Sequence, residues 1–164
     1  MKKFWNAIKD YVIIIIVVVL IRTFLFTPAL VDGDSMKDNL INNDLVIINK
    51  LIYRIDDIKR FDVVVVKNDQ DKDKIIKRVI ALPNEELIYR NNKLYINGDE
   101  VITDIKFKDT TDFEYTTKDD EYFVMGDNRP ISKDSRYLGA FSKKKIIGKV
   151  TLRLFPFNKF GKIK

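Results

Sequence analysis

The apolar residues of this 164-residue chain follow two different patterns, which change near residue 28. The first is a continuous run, YVIIIIVVVLI, from Tyr11 to Ile21, which resumes after two polar residues and reaches Phe26. The lysines at positions 2, 3 and 9 precede this run. A long apolar run with a basic flank predicts a helix that crosses a membrane once, with its basic end in the cytoplasm.

The length of the run indicates where the predicted helix begins and ends. Residues 11–26 would span about 24 Å as a helix, whereas the hydrocarbon core of a bilayer is about 30 Å thick. We therefore expect the helix to begin near Trp5, the Arg22 side chain to extend towards the membrane surface, and Pro28 to discourage further helix. A cleavable secretory signal starts in a similar way. The following residues, RTFLFTPALV, lack a convincing small-residue cleavage site, so we favour a retained anchor.

After residue 28 the apolar residues come in short runs rich in β-branched side chains and separated by turn residues, a pattern typical of β-strands. The predicted strands are 44–53, 61–67, 74–82, 86–98, 121–126 and 146–155. Asn91-Asn92 and Asn97-Gly98 are predicted hairpin turns, because Asn and Gly tolerate a positive φ. The polar segment 103–120 is interpreted as a surface excursion. We expect residues 1–28 to form the cytoplasmic start and membrane anchor, and residues 29–164 one extracytoplasmic all-β domain, a barrel or sandwich.

The composition excludes several kinds of catalysis, because the chain contains no Cys and no His. Without Cys there is no disulfide, no thiolate nucleophile and no Cys-ligated metal. Without His there is no Ser-His-Asp triad. A general base would have to be Asp, Glu, Lys, Tyr or a chain terminus.

The net charge of +6 comes from the two ends of the chain. Residues 135–164 hold nine basic residues and no acidic one, whereas residues 29–134 hold 17 basic and 23 acidic residues. Basic ends beside an apolar anchor favour contact with the anionic lipid of a bilayer, at about 1 kcal/mol for each Lys or Arg near the surface. No nucleic-acid-binding motif accompanies this charge, so we do not expect nucleic acid as a partner.

An isolated serine lies close to the predicted membrane, in the sequence VDGDSM at 31–36. Ser35 would need a base to become a nucleophile. Lys77, in IIKRVIALP, interrupts an apolar strand, where burial would lower the pKa of its amine by up to 3–5 units and leave it able to accept a proton. The alternative is that Lys77 faces solvent in the usual alternation of a strand.

The loop MGDNRPISKDSRYLGAF, residues 125–141, combines Asp, Asn, Arg and Ser between apolar segments. Most polar loops of this kind are simply exposed connections. The density of Arg and Asp here also suits a hydrogen-bonded scaffold, since Arg–carboxylate pairs hold a fixed geometry.

Four stretches in order resemble the motifs of the type I signal peptidases, membrane-anchored serine peptidases that remove secretory signal peptides. They are GDSM at 33–36, NDLVIINK at 43–50, KRVIALP at 77–83 and GDNRPISKDSRYLG at 126–139. The resemblance covers the anchor and most of the outer domain.

The resemblance implies a Ser/Lys dyad in which Ser35 is the acylating nucleophile and Lys77 the general base. Ser132 would hydrogen-bond and orient Lys77. The backbone amide of Ser35 would contribute to the oxyanion hole, while Gly33 offers no hydroxyl as a second donor. Met36 is a candidate substrate-binding residue.

The resemblance further implies two supporting ion pairs in the loop that carries Ser132. Asp127 would pair with Arg78, and Asp134 with Arg136. No cofactor or metal is implied. The expected partners are exported precursor proteins and the lipid bilayer, and the expected place is the cell membrane, with the catalytic domain outside.

Two departures from the family pattern adjoin these motifs. After Ser-Met the family usually has x-Pro-Thr-Leu, where this chain has Lys37-Asp38-Asn39-Leu40, and after Lys-Arg it usually ends in GLPGD, where this chain has ALPNE, with Ala81 and Asn84. Loss of a proline beside the nucleophile could alter the site.

We therefore expect an endopeptidase that cleaves after a small residue in Ala-x-Ala sequences, either general or specialised for a narrow set such as pilin precursors. The alternative from another class is a catalytically inert, membrane-anchored β domain that binds signal peptides or envelope proteins. A self-cleaving regulator with the same chemistry would need a DNA-binding or partner domain, and the chain offers only the anchor.

Overall fold

The structure is a computed structural model that describes residues 2–20, 25–70 and 73–163. The N-terminal apolar run forms helix α1, Lys2–Leu20, whose side chains from Tyr11 to Val19 are exposed. In the described part of the chain, no helix is both long enough and apolar enough to cross a membrane. Arg22, which we expected near the membrane surface, lies outside the described residues.

The chain beyond α1 is built mainly from antiparallel β-strands, which agrees with the all-β prediction. In the described residues there are twelve: β1 Phe26–Leu30, β2 Leu45–Asn49, β3 Val63–Lys67, β4 Lys74–Ala81, β5 Glu86–Arg90, β6 Lys93–Ile96, β7 Asp99–Glu100, β8 Phe113–Thr116, β9 Glu121–Met125, β10 Phe141–Ser142, β11 Ile146–Phe155 and β12 Gly161–Lys162. Short α-helices occupy Ile52–Ile55 (α2) and Ser135–Leu138 (α3), and 3₁₀ helices occupy Lys143–Lys145 and Phe157–Lys159.

Strand β1 begins at Phe26, before the predicted end of the membrane anchor at residue 28. Phe26 and Pro28 lie in β1, so the expected boundary after residue 28 falls inside a strand. Proline is tolerated there because β1 is at the edge of its sheet and pairs only with β2.

The strands form two sheets that pack on each other. The larger has the order β1-β2-β11-β3-β4-β9-β10, with β12 paired to β11, and the smaller has the order β7-β6-β5-β8. A shared core joins them: Ile80 and Phe123 of the larger sheet pack with Leu87 and Leu94 of the smaller. Strand β4 lies in the interior of the larger sheet, between β3 and β9, and this location determines the surroundings of Lys77.

Asparagine residues end strands at one of the predicted hairpin turns and within one of the predicted strands. Asn91 and Asn92 both have a positive φ and join β5 to β6. The predicted strand 44–53 is too long, because the Asn49 side chain accepts hydrogen bonds from the backbone amides of Leu51 and Ile52 and directs the chain into α2. Such a side-chain to backbone contact competes with the strand ladder.

Candidate active site

Ser35 lies in a turn that follows β1. The Met36 and Leu40 side chains that anchor this turn are 1% and 0% exposed. Gly33 has a φ of +84°, and its amide donates to Oδ1 of Asn42 at 3.0 Å. Ser35 itself is only half-buried, so its hydroxyl remains accessible while the buried Met36 and Leu40 side chains fix the turn.

The Lys77 amine meets the Ser35 hydroxyl across this turn, with Nζ and Oγ hydrogen-bonded at 2.7 Å. Lys77 is 3% exposed. Burial lowers the pKa of the Lys77 amine to about 8, against an opposing effect of the Asp134 and Asp127 carboxylates and with a smaller lowering by Arg136. An amine with this pKa is partly neutral near pH 8 and can accept a proton from the serine hydroxyl.

Arg78, the next residue on β4, forms a buried ion pair with Asp127. Nε and Nη2 of Arg78 donate to the two carboxylate oxygens, both at 2.8 Å, and neither side chain is exposed. Nη1 of Arg78 donates to the carbonyl of Phe61 at 2.8 Å. This bidentate pair joins the strand of Lys77 to the loop that begins at Gly126.

Asp134 and Arg136 form the second expected pair, with Nε of Arg136 2.9 Å from Oδ1 of Asp134. The other carboxylate oxygen accepts from the Gly126 amide at 3.0 Å, and Nη2 of Arg136 also donates to the carbonyl of Arg129 at 2.6 Å. Asp134 also caps α3 through the amide of Arg136. The pair therefore ties the start of the loop to its end.

Ser132 is near the site but does not make the expected contact. Its hydroxyl is buried and has no hydrogen-bond partner among the described residues, so the predicted bond to Lys77 is not made in this structure. The hydroxyl is directed onto Gly126 instead: a Cβ at Gly126 would lie 2.2 Å from Oγ of Ser132 and 2.5 Å from the Ser35 carbonyl oxygen. The close approach requires glycine at 126, and the Lys77 amine is engaged by Ser35.

Two clefts share Ser35 and Lys77 in their lining. The larger, of about 400 Å³, is lined by residues of β1, β2, β3 and β4, by Met36, and by the charged Asp32, Asp73 and Lys74. The smaller, of about 280 Å³, lies against Ile75, Ile131 and Leu138. An extended chain with small apolar side chains could occupy the larger cleft and bring its backbone to Ser35. Among the described residues there is no group of three or more carboxylates that could hold a metal ion.

Several contacts that hold the site were not predicted from the sequence. The Asn128 amide donates to the Ser35 carbonyl at 3.0 Å, and its side chain donates to the Asp34 carbonyl at 3.1 Å. Asn39 donates to Asp127. The only sequence signals were the Asn in the GDNR stretch and the unusual residues after Met36.

The segment 103–120 is more closely tied to the site than a surface excursion would be. Its Lys108 amide donates to the Asp127 carbonyl at 3.0 Å. The buried Arg129 guanidinium lies over the Phe107 ring at 4.3 Å and donates to Thr110 at 3.0 Å. Strand β8 also falls in this segment. The prediction missed these contacts because they are made by isolated residues and not by a periodic pattern.

The described chain thus combines an antiparallel β fold with a serine hydroxyl and a buried lysine amine in hydrogen-bonding contact. The family described as signal peptidase, peptidase S26, matches residues 4–155. The chain therefore belongs to the type I signal peptidases of peptidase family S26.

Individual relatives agree. Signal peptidase I P of Bacillus subtilis subsp. natto is 40% identical over 166 residues, which cover 93% of this chain and 89% of the relative. Signal peptidase I S of Bacillus subtilis (strain 168) is 38% identical, with 94% and 90% covered. The crystal structure of a signal peptidase I from Enterococcus faecalis V583 superposes with a TM-score of 0.54 at 34% identity, covering 59% of this chain and 99% of that one.

Proposed function

We propose that this enzyme removes N-terminal signal peptides from exported precursor proteins, with Ser35 as nucleophile and Lys77 as general base. The observation that carries the proposal is the 2.7 Å contact between the Lys77 amine and the Ser35 hydroxyl in a buried setting. A solvent-facing lysine, the alternative for this position, would keep its ordinary pKa and remain protonated.

The reaction proceeds by acyl transfer in two halves. Oγ of Ser35 attacks the carbonyl carbon of the scissile peptide bond while its proton passes to Nζ of Lys77. The Lys77 ammonium then gives that proton to the leaving amine as the peptide bond breaks. The signal peptide remains attached to Ser35 as an ester. Lys77 next takes a proton from water as the water oxygen attacks the carbonyl carbon of the ester. The Lys77 ammonium returns that proton to Oγ of Ser35 as the ester bond breaks, which releases the signal peptide with a new carboxyl end and leaves the free serine. The backbone amide of Ser35 stabilises the oxyanion.

Specificity for small residues before the cut follows from the shape of the larger cleft. Buried side chains form its floor, including Met36 at 1% exposure and Val31 at 3%. Because these side chains close the floor of the cleft, we expect it to accept Ala and to exclude larger side chains. This supports cleavage after Ala-x-Ala sequences.

The enzyme acts at the cell membrane, with the segment before β1 as the cytoplasmic start and anchor and the chain from Phe26 onwards outside. Support comes from the exposed apolar side chains of α1 and from its basic N-terminal residues. Exposed aromatic and basic residues also lie together near the C-terminus, at Phe157, Lys159 and Phe160. Aromatic and basic side chains are suited to the lipid headgroup region.

Incubation of the detergent-solubilised protein with a precursor bearing an Ala-x-Ala site tests the function. We expect one cut directly after the second Ala, mapped by mass spectrometry, and no cut by the Ser35→Ala variant. The panel should include pilin-type precursors, because a narrow specificity would otherwise look like inactivity. Precursor binding without cleavage by the wild type would favour the inert binding domain instead.

The rate should depend on pH through Lys77. Its neutral form is the base, so kcat/KM should fall about tenfold per pH unit below the Lys77 pKa of about 8 and level off above it. The measurement is kcat/KM from pH 6 to 10, on a peptide without groups that titrate in this range. Lys67→Gln, which removes an exposed lysine on the neighbouring strand β3, is the control and should leave the curve in place. A pH-independent rate would exclude Lys77 as the base.

A further inference from the structure

The Asn39 side chain contacts the carboxylate that pairs with the residue after Lys77. Nδ2 of Asn39 donates to Oδ2 of Asp127 at 2.8 Å and to the Lys106 carbonyl at 3.1 Å. The same Asp127 carboxylate accepts the two bonds from Arg78. Asp127 is 1% exposed, so its hydrogen bonds are shielded from water and correspondingly strong.

Asn39 also belongs to the turn that carries Ser35. The backbone amides of Asn39 and Leu40 both donate to the Met36 carbonyl, at 3.2 and 2.8 Å. The Arg153 guanidinium donates to the Asn39 carbonyl from the other side. The buried Met36 and Leu40 side chains hold this turn, and Ser35 with it, in the core. The side-chain amide of Asn39 connects the turn to Asp127 and Lys106.

These contacts close a ring around the reacting atoms. The ring runs from Ser35 along the turn to Asn39, across to Asp127, on to Arg78, and along β4 to Lys77, whose amine returns to the serine hydroxyl. Groups supported by a second layer of hydrogen bonds keep their spacing better than groups held by one contact. We propose that Asn39 is a positioning residue, which holds the nucleophile turn at hydrogen-bonding distance from the Lys77 amine through Asp127.

The backbone next to Asn39 has a conformation that the family's usual proline could not adopt. Asp38 has a φ of +88°, whereas proline is fixed near −65°. Asp is among the residues that tolerate positive φ in turns, and here Asp38 also pairs with Lys108 at 3.1 Å. The unusual residues at 38 and 39 thus complement each other. Asp38 allows the backbone conformation of this turn, and Asn39 provides the side-chain amide that donates to Asp127.

The kinetic consequence rests on the proposed peptidase function. Asn39→Ala removes both side-chain bonds but changes no charge, so kcat should fall about ten- to hundredfold while KM stays within about twofold. Asn39→Thr keeps one hydroxyl donor and should recover part of the loss. The matched control is Asn158→Ala, in an exposed 3₁₀ helix, which should leave kcat unchanged.

The titration of Lys77 gives a second readout, which does not require turnover. Asn39→Asp places a second carboxylate against Asp127 and adds negative charge to the groups that act on Lys77, namely Asp134, Asp127 and Arg136. The pKa of Lys77 should therefore rise, and the ascending limb of kcat/KM should move to higher pH. Nuclear magnetic resonance of the Lys77 side chain reports the same shift without requiring turnover.

The outcomes separate this inference from the proposed function. Wild-type kcat in Asn39→Ala would overturn the positioning role. If the wild type cleaves no precursor, the proposed function fails, and the Lys77 titration of the charge-neutral Asn39→Ala variant then decides: a pKa that differs from the wild-type value supports the positioning role, and the wild-type value overturns it.

Discussion

Replacing Lys77 with Met is expected to lower kcat/KM for precursor cleavage by about 10³-fold or more, with no loss of stability. The loss follows because Ser35 then has no group to take its proton, and removal of one member of a nucleophile–base unit disables the whole unit. Stability should hold because Met has a similar shape and avoids the cost of a buried amine. The checks are kcat/KM at pH 8 to 9 and the thermal midpoint of the same preparation.

The folded-state pKa of Lys77 strengthens the second half of this expectation. A lysine whose pKa falls from 10.5 to about 8 on folding binds fewer protons in the folded than in the unfolded state between those two values. The free energy of unfolding therefore rises with pH across that window, and below it the lysine opposes folding. Lys77→Met should remove this pH dependence. Lys67→Met, at an exposed position, is the control, and a variant with wild-type kcat/KM would refute the dyad.

Replacing Asp127 with Ala is expected to lower the free energy of unfolding by about 3–5 kcal/mol, because it leaves the buried Arg78 guanidinium without its carboxylate. That is a large fraction of the stability of an ordinary domain. The measurement is urea denaturation at constant pH. The double variant Arg78→Met with Asp127→Ala should recover part of the loss, since it removes the unpaired charge as well.

A surface ion pair provides the comparison. Lys59 and Asp56 are 2.8 Å apart, but their side chains are 64% and 48% exposed. Asp56→Ala should lower the free energy of unfolding far less than Asp127→Ala does, because solvent screens an exposed ion pair. Equal losses in Asp56→Ala and Asp127→Ala would mean that burial of the Arg78–Asp127 pair has no energetic importance.

Strands with strong patterns were predictable from the sequence, and so were several residues that the structure brings together around Ser35. Strand β3 was predictable because its valines at 63–66 form an unbroken β-branched run, and they are all buried in the structure. Lys77 is distinctive in the sequence because it interrupts such a run in β4. Short strands such as β10 were missed, because Phe141–Ser142 owes its conformation to pairing with β9 and not to its own pattern.

The geometry of the site could be predicted only in part. The pairs Arg78–Asp127 and Asp134–Arg136 followed from motif resemblance. The direction of the Ser132 hydroxyl did not, because it depends on packing against Gly126. The sequence shows Asn39 only as a difference from the family pattern. Its contact with Asp127 was not predictable, because it joins residues far apart in sequence and leaves no local signal.

The position of β11 has a consequence for the order of events during protein synthesis. In the larger sheet β11 lies between β2 and β3, although it is made long after both. It thereby joins the half that leads into the Ser35 turn to the half that carries Lys77. A nascent chain that lacks Ile146–Phe155 has no strand to align these halves, and pairing between distant segments is slow. We therefore expect Ser35 and Lys77 to come together only after β11 has been made, so that a chain that stops before Ile146 is not a competent peptidase.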